Sequence, residues 1–110
     1  MTMQEFFGKL LALQMEWQKY HWGGIRARKL ILLNNVLQEK EFCPMTAVAY
    51  ELTGKYHVPC EWLAAANEIG YSHELASSIV LAADSLYHEG HLFLLQALGL
   101  TGEPVQDWRH

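Results

Sequence analysis

The stretch Ile25-Arg26-Ala27-Arg28-Lys29-Leu30-Ile31-Leu32-Leu33-Asn34-Asn35-Val36-Leu37-Gln38-Glu39-Lys40-Glu41-Phe42 decides the fold class. Its first four residues alternate apolar and basic as a strand does, whereas Leu30, Leu33, Val36 and Leu37 suit a helix. Asn34-Asn35 suits neither reading. As a helix, the segment completes an all-α bundle of four to six helices. As a short strand pair, it makes the fold α+β. The remainder of the chain is helical in pattern, so the expectation is all-α.

Upstream, residues 3 to 21 contain no Pro and only Gly8, which predicts one long amphipathic helix within residues 1–22. At about 100° per residue, Phe6, Leu10, Leu13, Trp17 and Tyr20 form one stripe, and Phe7, Leu11, Met15 and Trp22 a second. The combined arc is about twice the roughly 100° stripe of an ordinary surface helix. Gln14 and Gln18 lie inside the second stripe and give it the mixed character of an interface. Phe7, Leu11, Gln14, Met15, Gln18 and Trp22 are therefore the candidate interface, with a homo-oligomer, simplest as a homodimer, the expected state.

Downstream the punctuation is clearer. Cys43 can cap a helix whose first turn holds Pro44, where a missing N–H is harmless, and Gly54 supplies a left-handed stop. Pro59 opens a second helix through Trp62, Leu63, Ala66 and Ile69 to Gly70, and Ser72 caps a third with Leu75, Ile79, Ala82, Ala83 and Leu86 on one face. Gly90 marks a kink or break before Leu92 to Leu98, and residues 99–110 read as a tail carrying Trp108. The organisation is a single domain of 110 residues with a helical core over 43–98.

Charge divides the chain. The net charge is -4, with 51% hydrophobic and 18% charged residues. From Tyr56 to Trp108 there is no Lys or Arg, while Glu61, Glu68, Glu74, Asp84, Glu89, Glu103 and Asp107 are all acidic. Glu61, Glu68, Glu74, Asp84 and Glu89 are the candidate acidic face, suited to a basic protein partner and unfavourable for nucleic acid. The longest apolar run, Leu30 to Leu33, is too short to span a bilayer, and no secretory leader is apparent. Two cysteines are too few for a disulfide scaffold, which favours a reduced, cytoplasmic setting with no membrane partner.

Three constellations could carry chemistry. Ala66, Gly70, Tyr71, Ala76 and Ile79 match the packing register of a helix-turn-helix, but the exposed positions of the would-be recognition helix are His73, Glu74, Ser77 and Ser78. Those residues lack the cations that draw phosphate and read guanine. Asp84, His88 and His91, spaced by four and three, share one strip of a continuous helix and form the candidate metal site. Cys43, His57 and Cys60 contain no tight pair of ligands, and Cys43 reads as a small side chain at a helix start. Phosphate loops, nucleophile elbows and paired catalytic carboxylates are all missing from the sequence. No enzymatic activity and no cofactor are expected.

The segments Cys43-Pro44-Met45-Thr46-Ala47-Val48-Ala49, Trp62 to Ala66, Ile69-Gly70, Ile79 to Asp84 and Leu98-Gly99-Leu100 resemble short uncharacterised proteins of bacteria and phages. The resemblance spans residues 43 to 100. It implies an all-α domain, transfers no activity or site residue, and suggests an accessory or host-inhibitory role. The functional expectation is a non-catalytic, protein-binding protein. A helix-turn-helix regulator and a small metal-binding protein are the alternatives.

Overall fold

A computed structural model of the chain describes residues 2–19, 24–88 and 91–92 of the 110. Among the described residues the elements follow in the order α1 (Met3–Ala12), β1 (Gln18–Lys19), β2 (Ile25–Leu33), β3 (Val36–Phe42), α2 (Pro44–Thr53), a 3-10 turn (Pro59–Glu61), α3 (Trp62–Glu68), α4 (His73–Leu86), β4 (Tyr87–His88) and β5 (His91–Leu92). The expected all-α bundle is thereby corrected to an α+β fold. Its antiparallel sheet is ordered β1-β2-β3, and β4 pairs with β5 in a separate two-residue ladder.

The correction turns on Asn34-Asn35. Both residues are left-handed, at φ 50° and 62°, and Leu33 pairs with Val36 across them. One of the two two-residue hairpin loops that match the strand twist takes positive φ at both central positions, and asparagine tolerates that region better than most residues. The turn therefore wins over the helical spacing of Leu30, Leu33, Val36 and Leu37. Alternation then sorts the strand: Ile25, Ala27 and Ile31 are buried on one face together with Phe42, while Arg28, Leu30 and Leu32 are exposed on the other.

The long helix predicted for residues 1–22 is also shorter than expected. Its start is well made: the Thr2 hydroxyl accepts from the Glu5 amide at 3.1 Å, and a Glu5 carboxylate oxygen accepts from the Thr2 amide at 3.3 Å. It ends at Ala12, with Gln14 left-handed at φ 51° where glycine would be usual. From there to β1 the chain has no regular structure, and burial alternates: Leu13, Met15 and Trp17 are at least partly buried while Gln14, Glu16 and Gln18 are exposed. An arc too wide for one helix is thus divided between a helix and the strap that follows it. Phe6, Phe7 and Leu10 are buried from α1, Trp17 is buried from the strap, and Leu13 and Met15 lean on the same core.

At the centre lies α2. Cys43 caps it as expected, with its sulfur 3.4 Å from the Thr46 amide, and the Thr46 hydroxyl accepts from the Cys43 amide at 2.9 Å. Gly54 closes the helix at φ 73°. Every residue from Pro44 to Ala49 is buried, the signature of a helix enclosed on all sides. Phe42 packs edge-on to Tyr56 and tilted against Tyr50, which fastens the base of the hairpin to this helix. On the opposite flank, α3 and α4 meet through Ile69, Gly70 at φ 88° and Tyr71, with Ala66, Tyr71, Ala76 and Ile79 buried. The Ser72 hydroxyl accepts from the Leu75 amide at 3.2 Å, confirming that cap. No helix of the described residues is long and apolar enough to cross a membrane. The expected Leu92–Leu98 segment, apart from Leu92, and the tail over 99–110 lie outside the described residues, as do Trp22 and Glu89.

Candidate protein-interaction surface

The hairpin has two unlike halves. Near its base, Ile25, Ala27 and Phe42 enter the core. Toward its turn, Leu30 is 58% exposed, Leu32 61%, Val36 55% and Leu37 64%. The register places Leu32 opposite Leu37, and alternation puts Leu30 on the same outward face. Exposed aliphatic side chains this close together form an apolar patch on the order of a few hundred Å², the scale at which a surface patch marks an interaction site.

Below the leucines the same face becomes charged, with each strand carrying one sign. Arg26 and Arg28 stand on β2, Glu39 and Glu41 on β3. Arg28 reaches Glu39 at 3.5 Å and Glu41 at 4.0 Å, while Arg26 reaches Glu41 at 4.0 Å. Such exposed pairs stabilise a chain little, so their value lies in the pattern they present. Beside the ladder, Glu16, Gln18, Arg26, Ala27, Arg28 and Glu41 line a concavity of about 280 Å³.

The residues expected to form an interface on one helical stripe do not share one. Phe7 is 1% exposed and belongs to the core, Leu11 and Met15 are partly buried against it, and Gln18 sits in β1 opposite Arg26. Gln14 is exposed at the end of α1, and Trp22 lies outside the described residues. The physical reason is the break at Gln14, which ends the helical period that grouped them.

The expected acidic face divides into separate surroundings. Glu68 accepts from Lys55 at 2.8 Å and lies 3.2 Å from His57 Nε2, while Glu61 is 3.9 Å from the Nδ1 of the same imidazole. The Lys55 hydrogen bond, seconded by His57, holds the Glu68 carboxyl below its ordinary value. Glu74 is exposed in the first turn of α4, where the helix dipole favours it. Asp84 is half-buried against the base of the sheet, near Arg26 and Lys19, and the Ile25 amide donates to it. Burial raises its pKa, and those three contacts oppose the rise.

The continuous helix expected to carry the metal triad ends at Leu86. Asp84 remains on the helix, whereas His88 and His91 are Cα partners in the β4–β5 ladder. The side chains of those histidines lie outside the described residues. Among the described residues no group of three or more His, Cys, Asp or Glu is placed to hold a metal ion. Cys43 is buried and Cys60 exposed, and both are free.

Sequence reasoning missed Leu30, Leu32 and Leu37 as a surface. The signal was there: four consecutive apolar residues, Leu30 to Leu33, cannot all face one side of a strand. It becomes readable only once the segment is known to be extended. Comparison of the chain with protein-family models, curated proteins and solved structures finds no match.

Proposed function

We propose that the chain is a non-catalytic protein-binding protein that engages its partner through the outward face of the β2–β3 hairpin. One observation carries this reading: Leu30, Leu32 and Leu37 lie exposed together on a face that ends in a paired ladder of opposite charges. Aliphatic side chains beside an ordered polar margin are the anatomy of a protein interface, where a dry centre is bounded by a polar rim. An accessory or inhibitory role fits such a surface, which acts by covering a site on another protein.

The burial of Ala66, Tyr71, Ala76 and Ile79 around the turn between α3 and α4 fits the register of a helix-turn-helix and supports a DNA-binding alternative. Its outward residues His73, Glu74 and Ser78 offer phosphate no Lys or Arg, and there is none from Tyr56 to Trp108. Affinity for DNA rests on such cations. The protein-binding reading is therefore preferred.

A photo-crosslinking amino acid at Leu32, with Leu52 on the helical body as control, tests it in the source cell. Adducts to protein from position 32 and few from position 52 are expected. Adducts that disappear with nuclease, or protein adducts equal at both positions, overturn it.

A further inference from the structure

The charge pattern of the hairpin names an occupant for its apolar half. This step rests on the protein-binding reading above. On the outward face the cations Arg26 and Arg28 all belong to β2, and the anions Glu39 and Glu41 all belong to β3. The pairs run level across the ladder: Arg28 opposite Glu41, Leu30 opposite Glu39 and Leu32 opposite Leu37. We infer that this face docks onto the same face of a second copy of the chain, about a two-fold axis parallel to the strands.

That axis matches charge to charge at the Arg28–Glu41 level and leucine to leucine at the Leu32–Leu37 level, and lays Leu30 along the methylenes of Glu39. Rotation about a line along the strands lays β2 of one copy over β3 of the other at the same level. Arg28 then meets the partner copy's anionic strand, Leu32 meets its Leu37 counterpart, and the reciprocal contacts follow by symmetry. An axis across the strands instead lays β2 on β2 in reverse, so no arginine meets the anionic strand of the other copy. Face-to-face packing of two sheets along roughly aligned strands is a standard arrangement, with the faces about 10 Å apart. The helical body lies behind the opposite, inward face, where Ile25, Ala27 and Ile31 are buried, so it does not block the approach.

Patches of a few leucines with a charged margin are small beside the roughly 1,200–2,000 Å² of standard specific interfaces, so a weak, concentration-dependent dimer is expected. Sedimentation velocity of the full chain from roughly 1 to 300 µM reads it. The wild type is expected to move from monomer to dimer over that range. Leu32→Glu should remain monomeric with an unchanged circular dichroism spectrum, because the side chain is 61% exposed. Arg28→Glu and Glu41→Arg should each weaken self-association about tenfold or more, because the axis sets Arg28 of one copy level with Glu41 of the other. Mixed in equal amounts, the two charge variants should form a heterodimer, which a role inside one chain cannot produce.

A wild type that stays monomeric throughout overturns the inference. So does a dimer that survives Leu32→Glu, or charge variants that fail to rescue each other. The Leu32 crosslink separates these failures from that of the parent reading. An adduct with a different protein, beside monomeric sedimentation, ends the second-copy proposal and leaves the interaction surface standing. No protein adduct at that position ends both.

Discussion

The two halves of one hairpin obey different rules. At the base, Phe42 is 1% exposed, wedged between Tyr50 and Tyr56, and the Tyr56 hydroxyl donates to the Glu41 carbonyl at 2.9 Å. Toward the turn, Leu32 and Leu37 are as apolar as Phe42 yet exposed. Residue type alone does not separate the halves. The face they occupy does: Phe42, like the buried Ile31 beside Leu32, points inward, where α2 and its flanking turn carry the tyrosines that enclose the base, whereas Leu32 and Leu37 point outward.

The largest effect should appear where the two halves are compared by truncation. Phe42→Ala removes a buried aromatic side chain and is expected to destabilise the chain by about 3–5 kcal/mol. Leu32→Ala, measured at a concentration where the chain is monomeric, should fall within about 0.5 kcal/mol of wild type. Urea unfolding of both variants at low micromolar concentration checks the contrast. A Leu32→Ala loss as large as that of Phe42→Ala would mean that the outer half is core after all.

The same contrast explains what could be read from the sequence. Around α2, α3 and α4 the local chemistry is unambiguous: Cys43-Pro44, Gly54, Gly70 and Ser72 stand at element ends, and the structure uses all four there. Ala66, Tyr71, Ala76 and Ile79 are buried as the helical packing register requires. Where reading failed, local signals conflicted. Leu13-Gln14-Met15-Glu16-Trp17-Gln18 alternates apolar and polar as a strand does, but the same residues also complete two helical stripes. No Gly or Pro marks the stop, which falls on Gln14 at φ 51°. Tertiary packing accompanies the break, since beyond it Met15 and Trp17 join Leu13, the C-cap of α1, against the core. In the hairpin the deciding signal was Asn34-Asn35, weaker than Asn-Gly but of the same kind. The interaction surface depended wholly on that strand assignment, so missing the hairpin hid it, and the interface was sought on α1 instead.

Substitution at the turn addresses the outer half alone. Asn35 is held at φ 62°, a conformation that costs a β-branched residue about 1–2 kcal/mol. Asn35→Val should destabilise by that amount, while Asn35→Gly, which favours this turn, should leave stability equal or slightly higher. Amide hydrogen exchange locates the effect. Asn35→Val is expected to accelerate exchange at Ile31 to Leu33 and Val36 to Gln38, with little change across Pro44 to Thr53. Uniform acceleration in α2 as well would show that the halves unfold as one unit and that the comparison drawn above is only one of exposure.

The smallest effect concerns the tie between the inner half and α4. Asp84 accepts from the Ile25 amide, and its pKa in the fold is raised because burial outweighs Ile25, Arg26 and Lys19. A carboxyl whose pKa is higher folded than unfolded holds its proton more tightly in the fold. Stability is therefore greatest below the unfolded value, near about 4, and declines as pH rises through the folded one. Asn keeps an acceptor for the Ile25 amide and carries no charge to desolvate. Asp84→Asn should match wild type near pH 3 and exceed it slightly at pH 7, by a few tenths of a kcal/mol after solvent screening. Thermal unfolding of both proteins at those two pH values reads the sign. If Asp84→Asn is instead the less stable at pH 7, the ionised carboxylate gains more from Ile25 and the nearby cations than it loses on burial. In that case Asp84 clamps the sheet to the helical body by charge, and the inner half is held by electrostatics as well as by Phe42 and its tyrosines.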